Sequence, residues 1–182
     1  MSGPGRTPMT PGWIAAAIVA VVYIGIAFHV DIPRGTGGLH SDEATYYLMA
    51  HSLASDGDLA YRAEDLARSR RELPDGPSGV FLKQGSDVDG VRLTSRPPFV
   101  ELERHLDPDP TRLYFGKAFI YPAFAAPFVR VFGTRGFLIF NAILLGLSIA
   151  AAYAFLAARS RPSVALVLAG AFVMASVVPV YA

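Results

Sequence analysis

The 182-residue chain has no cysteine, which excludes disulfides, thiolate nucleophiles and zinc–thiolate centres and leaves the redox compartment open. Negative charge is missing from both ends, because all 15 acidic residues lie between Asp31 and Asp109. Charge of either sign is scarce overall. Charged residues make up 17% of the chain against 52% hydrophobic residues, a balance too apolar for an ordinary soluble domain. A strongly basic surface is also lacking: from Asp31 to Leu113 ten Lys and Arg face 15 carboxylates, so nucleic acid is not an indicated partner. No repeat with a period of 20–50 residues is present.

What remains is a set of long apolar runs around an acidic middle. After a short N-terminal segment (1–11), expected to be cytoplasmic, Gly12–Val30 (GWIAAAIVAVVYIGIAFHV) is 19 residues without a formal charge. As helix it is about 28 Å long, close to the hydrocarbon thickness of a bilayer. A signal peptide is the competing reading, but the apolar part is long for one and no small-x-small cleavage site follows Phe28. Residues 114–132 form a second apolar run, interrupted by Lys117, Pro122, Pro127 and Arg130. The two charges must snorkel if it crosses, so a kinked span is expected, with a re-entrant segment as the alternative. Residues 136–158 hold no charge and give the clearest span, and Gly133 and Gly136 are assigned to the turn before it. Residues 162–182, opened by Pro162, give a fourth that stops at Ala182 without a polar flank, as in a truncated chain.

The expected fold is therefore an α-helical integral membrane protein of about four transmembrane helices with one large loop, 31–113. Arg6, Arg130 and Arg135 flank the side taken as cytoplasmic, which makes the loop extracytoplasmic; Arg159 and Arg161 oppose that orientation. Within the loop, PDGPSG (74–79) and SRPP (95–98) are turn or extended signals. VFLKQ (80–84) and GVRLT (90–94) are read as two strands of a hairpin around SDVDG.

Asp42 and Glu43 stand soon after the first span. Ser41 is a good N-cap, and two carboxylates in a first turn suit the helix dipole. Tyr46, Met49, Ala50 and Leu53 then trace one apolar face, which predicts an interfacial helix over 42–55 lying on the membrane. Two readings of the pair stay open at this level. It satisfies a helix N-terminus, or it is a general base at the membrane surface, where an acceptor hydroxyl meets a lipid-borne donor.

The first span, Asp42-Glu43, Tyr46 three residues on, Ala50, Leu53 and Gly57-Asp58 together resemble the start of the GT-C glycosyltransferase superfamily. The pattern resembles that of bacterial relatives of protein O-mannosyltransferases and of lipid A aminoarabinose transferases. YFGKAFIYPAFAAPFVRVFGTRGFLIFNAILL (114–145) is similar to the second and third spans of those enzymes, with a basic residue, Tyr-Pro, a Pro-kinked helix, a Gly turn and an Asn. The two pieces cover roughly residues 12–158. The resemblance implies an inner-membrane enzyme that moves a sugar from a polyprenyl-phosphate donor to an extracytoplasmic acceptor, with this chain as its N-terminal part. It implies Asp42 as general base, Glu43 as acidic companion and Lys117 as a contact of the donor phosphate. No cofactor is required, because Lys or Arg can offset the charge of a monophosphate leaving group. The implied partners are the lipid-linked donor, membrane lipid and an acceptor glycan, lipid or protein. The alternative is a non-catalytic membrane protein whose outward loop binds a partner or envelope polymer.

The remaining candidates carry less. Arg96 is a candidate phosphate contact, against a solvated loop residue. RSRR (68–71) reads as a solvated helix face, or as a contact with anionic headgroups. His40 could join Asp42 in an H-x-D metal site, but the set lacks the spacing of recognised sites, so no metal is assigned. His51 reads as a surface or packing residue and His29 as an interface anchor. Asn141 reads as a bond to a neighbouring helix.

Overall fold

The computed structural model describes residues 10–30, 38–85, 89–93, 100–104 and 111–175, and these are mostly helical. They form two compact units, one built from the first helix and the last two, the other from the intervening segment up to Gly133.

In the first unit, α1 (Thr10–His29) and α5 (Arg135–Ala157) are 20 and 23 residues long. Both are long and apolar enough to cross a membrane, and among the described residues they are the two that are. The reason they pack is a seam of small residues. A Cβ built on Gly146 would stand 2.9 Å from the Ala16 carbonyl oxygen and 3.3 Å from Ala20 Cβ, and one on Gly12 would overlap the Tyr153 ring. With Gly12 against Tyr153 and Ala16 against Gly146, the two helices run antiparallel. Ala142 and Ala150, one turn either side of Gly146, are buried on the same stripe of α5. α5 also meets α6 (Pro162–Met174): Tyr153 and Ala157 pack with Ala165 and Ala169, and Leu145 and Ile149 with Val173. The outward faces of these helices are apolar too, with Ile18, Val21, Phe155, Val167 and Phe172 largely exposed.

The second unit is organised around α2 (Ser41–Ser55). The expectation of one apolar stripe is corrected here. Ala44, Thr45, Tyr47, Leu48, Met49, Ala50, Ser52 and Ala54 are all buried, whereas Tyr46 and Leu53 are only half-buried. Small and hydroxyl side chains let neighbours close in on nearly every side, so α2 is a central helix of its unit. After Gly57, in a left-handed turn at φ 75°, comes β1 (Ala60–Tyr61), followed by α3 (Ala63–Glu72). Then come β2 (Leu82–Gln84), β3 (Asp89–Leu93), β4 (Val100–Arg104) and β5 (Leu113–Phe115).

The strand pairing also differs from the expected hairpin. β2 and β3 do not pair with each other. β5 is the centre of an antiparallel sheet in the order β1-β5-β2, with Tyr114 opposite Ala60 and Lys83, while β3 pairs with β4, Val91 opposite Leu102. PDGPSG forms a turn as predicted, with Gly76 and Gly79 at positive φ. SRPP lies outside the described residues.

Because β5 takes Leu113–Phe115, the next helix starts late. α4 (Ile120–Phe132) has 13 residues, about 20 Å of rise, against the span expected over 114–132. It buries Pro122, Ala125, Ala126 and Val129, and packs on α2. Gly133, at φ 61°, ends it with its N–H on the Val129 carbonyl at 2.8 Å. Gly136 belongs to the first turn of α5 rather than to the connecting turn.

The seam gives a direct test. Gly146→Val should destabilise the chain in detergent by about 1–3 kcal/mol through overpacking against Ala16 and Ala20. Gly170→Ala, where an added Cβ meets nothing within 4 Å, should leave the unfolding midpoint unchanged or raised.

Candidate functional site

The start of α2 is tied to two other stretches of its unit. The Ser41 N–H donates to the Ser78 carbonyl at 2.8 Å, the Ser78 N–H donates to the Leu39 carbonyl at 3.2 Å, and His40 Nδ1 lies 2.6 Å from Ser78 Oγ in a hydrogen bond. Ser41 adopts φ 56°, the left-handed region, the one described non-glycine residue to do so. It therefore does not serve as the expected side-chain N-cap: His40 holds that position, and no side-chain cap bond is made. The Ser41 carbonyl accepts from the buried Thr45 hydroxyl at 2.9 Å, and that hydroxyl in turn accepts the Phe81 N–H at 3.0 Å. The Phe81 carbonyl accepts from the Gly116 N–H at 2.8 Å, which draws in the segment after β5.

Asp42, Phe81 and Lys117 meet at this junction. Lys117 Nζ lies 2.8 Å from Asp42 Oδ1 and 3.9 Å from the centre of the Phe81 ring. Two residues read separately in the sequence, 75 positions apart, thus form one ion pair. Lys117 does not open a helix as expected; it sits in the link between β5 and α4. The Asp42 side chain is 55% exposed and that of Lys117 27%, so the pair borders solvent. At that exposure an ion pair contributes about 0–1 kcal/mol to stability. One turn along α2, the Tyr46 ring meets Tyr121 of α4 edge-on, with centroids 6.0 Å apart.

Glu43 is exposed in the first turn and joins no ion pair among the described residues. The structure therefore separates the acidic pair: Asp42 is turned to a cation, whereas Glu43 serves the helix dipole. Arg96 lies outside the described residues. His40 is engaged by Ser78 rather than directed with Asp42 at a common point. Phe81 and Thr45 are the site residues that sequence reasoning missed. Phe81 read as a strand residue and Thr45 as one more helix position, and nothing local marks either as a neighbour of Lys117.

The opposite side of α2 carries a polar cluster. Arg68 reaches Asp56 at 3.0 Å and the buried Asp65 at 3.2 Å, and Asp65 Oδ2 accepts the Arg62 N–H at 2.9 Å as a cap for α3. The first residue of RSRR is thus a structural tie, and Arg70 and Arg71 are exposed. Burial pushes the Asp65 carboxyl up against the pull of Arg62 N–H and Arg68. Tyr47 Oη donates to Glu72 at 3.1 Å and its ring tilts over His51 at 4.4 Å. His51 is a packing residue, in line with one of its two expected roles. Burial lowers its pKa below 6.5, with Glu72 opposing and Arg68 reinforcing the shift.

The sign of the His51 effect is definite. A histidine whose folded pKa is depressed binds fewer protons folded than unfolded, so its contribution to stability is lost as pH falls below 6.5. The unfolding midpoint should drop between pH 7.5 and 5.5, and His51→Gln should flatten that slope whatever it does to the midpoint at pH 7.5. No family model matches this chain, and no curated protein or solved structure shows significant similarity to it, so the chemistry of the site is argued from its geometry.

Proposed function

We propose that the protein is the N-terminal part of a membrane glycosyltransferase of the GT-C kind, moving a sugar from a polyprenyl-phosphate donor to an extracytoplasmic acceptor. The observation that carries this reading is the contact of Asp42 with Lys117 at 2.8 Å, a carboxylate and an ammonium side by side at a solvent-bordering helix start. Transfer from a lipid phosphate needs a base for the attacking hydroxyl and a cation for the departing phosphate within reach of one carbon. The acceptor O–H attacks the anomeric carbon, the bond from that carbon to the phosphate oxygen breaks, and the lipid phosphate departs with the electron pair. Asp42 takes the acceptor proton, and the Lys117 ammonium offsets the charge on the leaving phosphate.

In the absence of donor the two groups neutralise each other. A donor phosphate competes with Asp42 for Lys117 and offers the ammonium a stronger acceptor. The carboxylate is then released towards the acceptor hydroxyl, with the anomeric carbon between the two side chains. Glu43 adds negative potential beside the base. The exposed apolar faces of α1, α5 and α6 suit lipid, and the α1–α5 seam suits a first helix that is retained. The wider arrangement belongs to the same proposal: spans at 12–30, 136–158 and 162–182, the 13-residue α4 as a re-entrant segment, the preceding loop outside, and the bacterial plasma membrane as location.

Expressed from its complete reading frame, Asp42→Asn should lower sugar transfer by about 10²–10⁴-fold, as loss of a general base does, while membrane insertion is unchanged. Radiolabel passing from a polyprenyl-phosphate sugar to acceptor in isolated membranes measures it, and wild-type transfer by the variant would end the assignment. Lys117→Gln should chiefly raise the KM for donor, with Lys117→Arg retaining part of the activity.

A further inference from the structure

We infer that Phe81 and Thr45 are positioning residues for the Asp42–Lys117 pair, and that the pair is assembled through them. The inference rests on the functional reading above only for its consequence in sugar transfer; the geometry stands by itself. Lys117 lies in an irregular link, two residues beyond β5, where backbone pairing no longer dictates where a long, flexible side chain goes. Its stem bears an ammonium with four rotatable carbons behind it, and an exposed carboxylate is a weak restraint on such a group. The Phe81 ring supplies the missing restraint. It lies 3.9 Å from Nζ, within cation–π range, and is itself 42% exposed, so it is not placed there by burial in a core.

What places Phe81 is Thr45. Its side chain is fully buried, and one hydroxyl makes two bonds with opposite roles: it donates to the Ser41 carbonyl and accepts from the Phe81 N–H. Ser41 immediately precedes Asp42, so a single oxygen couples the backbone carrying the carboxylate to the backbone carrying the ring. The Gly116 N–H on the Phe81 carbonyl closes the circuit one residue before Lys117. Only a hydroxyl can fill the Thr45 role. A valine of the same shape can neither donate to Ser41 nor accept from Phe81.

Zero-length carbodiimide coupling tests this in the full chain in membranes, without donor or acceptor, by mass spectrometry of the Asp42–Lys117 amide. Wild type should couple, and Asp42→Asn should give none. Phe81→Ala should lower the yield about fivefold, on the scale of a lost cation–π contact, with Phe81→Trp restoring it. Thr45→Val should lower it similarly and Thr45→Ser restore it. Coupling at wild-type yield in Phe81→Ala would overturn the inference, since that exposed ring can be removed without threatening the fold. So would failure of Phe81→Trp to restore a reduced yield. Because no sugar transfer is read, this result is distinct from the fate of the glycosyltransferase reading, which Asp42→Asn activity decides.

Discussion

The three residues of β5 constrain the second unit more than any longer element. Leu113–Phe115 pair with Ala60–Tyr61 on one side and Leu82–Gln84 on the other, which joins three stretches separated by long intervals of chain. Phe115 is buried with its ring edge-on to Tyr61, so the strand is anchored by packing as well as by its ladder. Once Phe115 is fixed, Gly116 and Lys117 have little freedom in where they emerge, and they emerge beside Phe81. The helical start of α4 is delayed to Ile120 for the same reason. A helix beginning at Tyr114 would take Lys117 into its first turn and remove the hydrogen bond from Gly116 to Phe81.

A different constraint governs the first unit. The outward faces of its helices are apolar, and close backbone approach at small residues brings α1 and α5 together. Gly12, Ala16 and Ala20 facing Tyr153 and Gly146 provide that approach. The bulky residues Ile14, Ile18, Val21 and Val22 are displaced to the other side of α1, where they are exposed. Small residues thus set the closest approach, while Leu145, Ile149, Val19 and Tyr23 pack alongside.

These contrasts explain what could be read from the sequence. α1 and α5 were legible to within two residues because their signal is local: an uncharged run of the right length, bounded by Pro11, by His29 and by the Gly133 turn. Asp42 and Lys117 were singled out in the sequence as separate residues, but their contact was not legible. It depends on strands of two and three residues whose pairings span 29 to 54 positions, and runs that short carry no periodicity to identify a partner. β2 and β3 illustrate the same limit. Both segments are strands, yet adjacency in sequence suggested a hairpin that the register of β5 and β4 replaces. In α2 the period-3.6 rule favoured Tyr46 and Leu53 over Tyr47 and Leu48, because it ranks apolarity and cannot count neighbours. A helix enclosed by α4 on one side and by Tyr47–Glu72 and the α3 cluster on another has no single inner face to detect.

The junction at Asp42 is not explained as a device for stability. Ser41 at positive φ costs on the order of 1–3 kcal/mol, and an ion pair as exposed as Asp42–Lys117 contributes about 1 kcal/mol at most. The helix dipole does not require it either, since Glu43 shares the first turn with Asp42 and meets that need from solvent. The strained start precedes a carboxylate that lies 2.8 Å from a cation, which in turn stands 3.9 Å from the centre of an aromatic ring. An acid so placed is neutralised by one partner and within reach of solvent. That combination contributes little to the fold, which is why the proposed function rests on the pair rather than on the acidic residues alone.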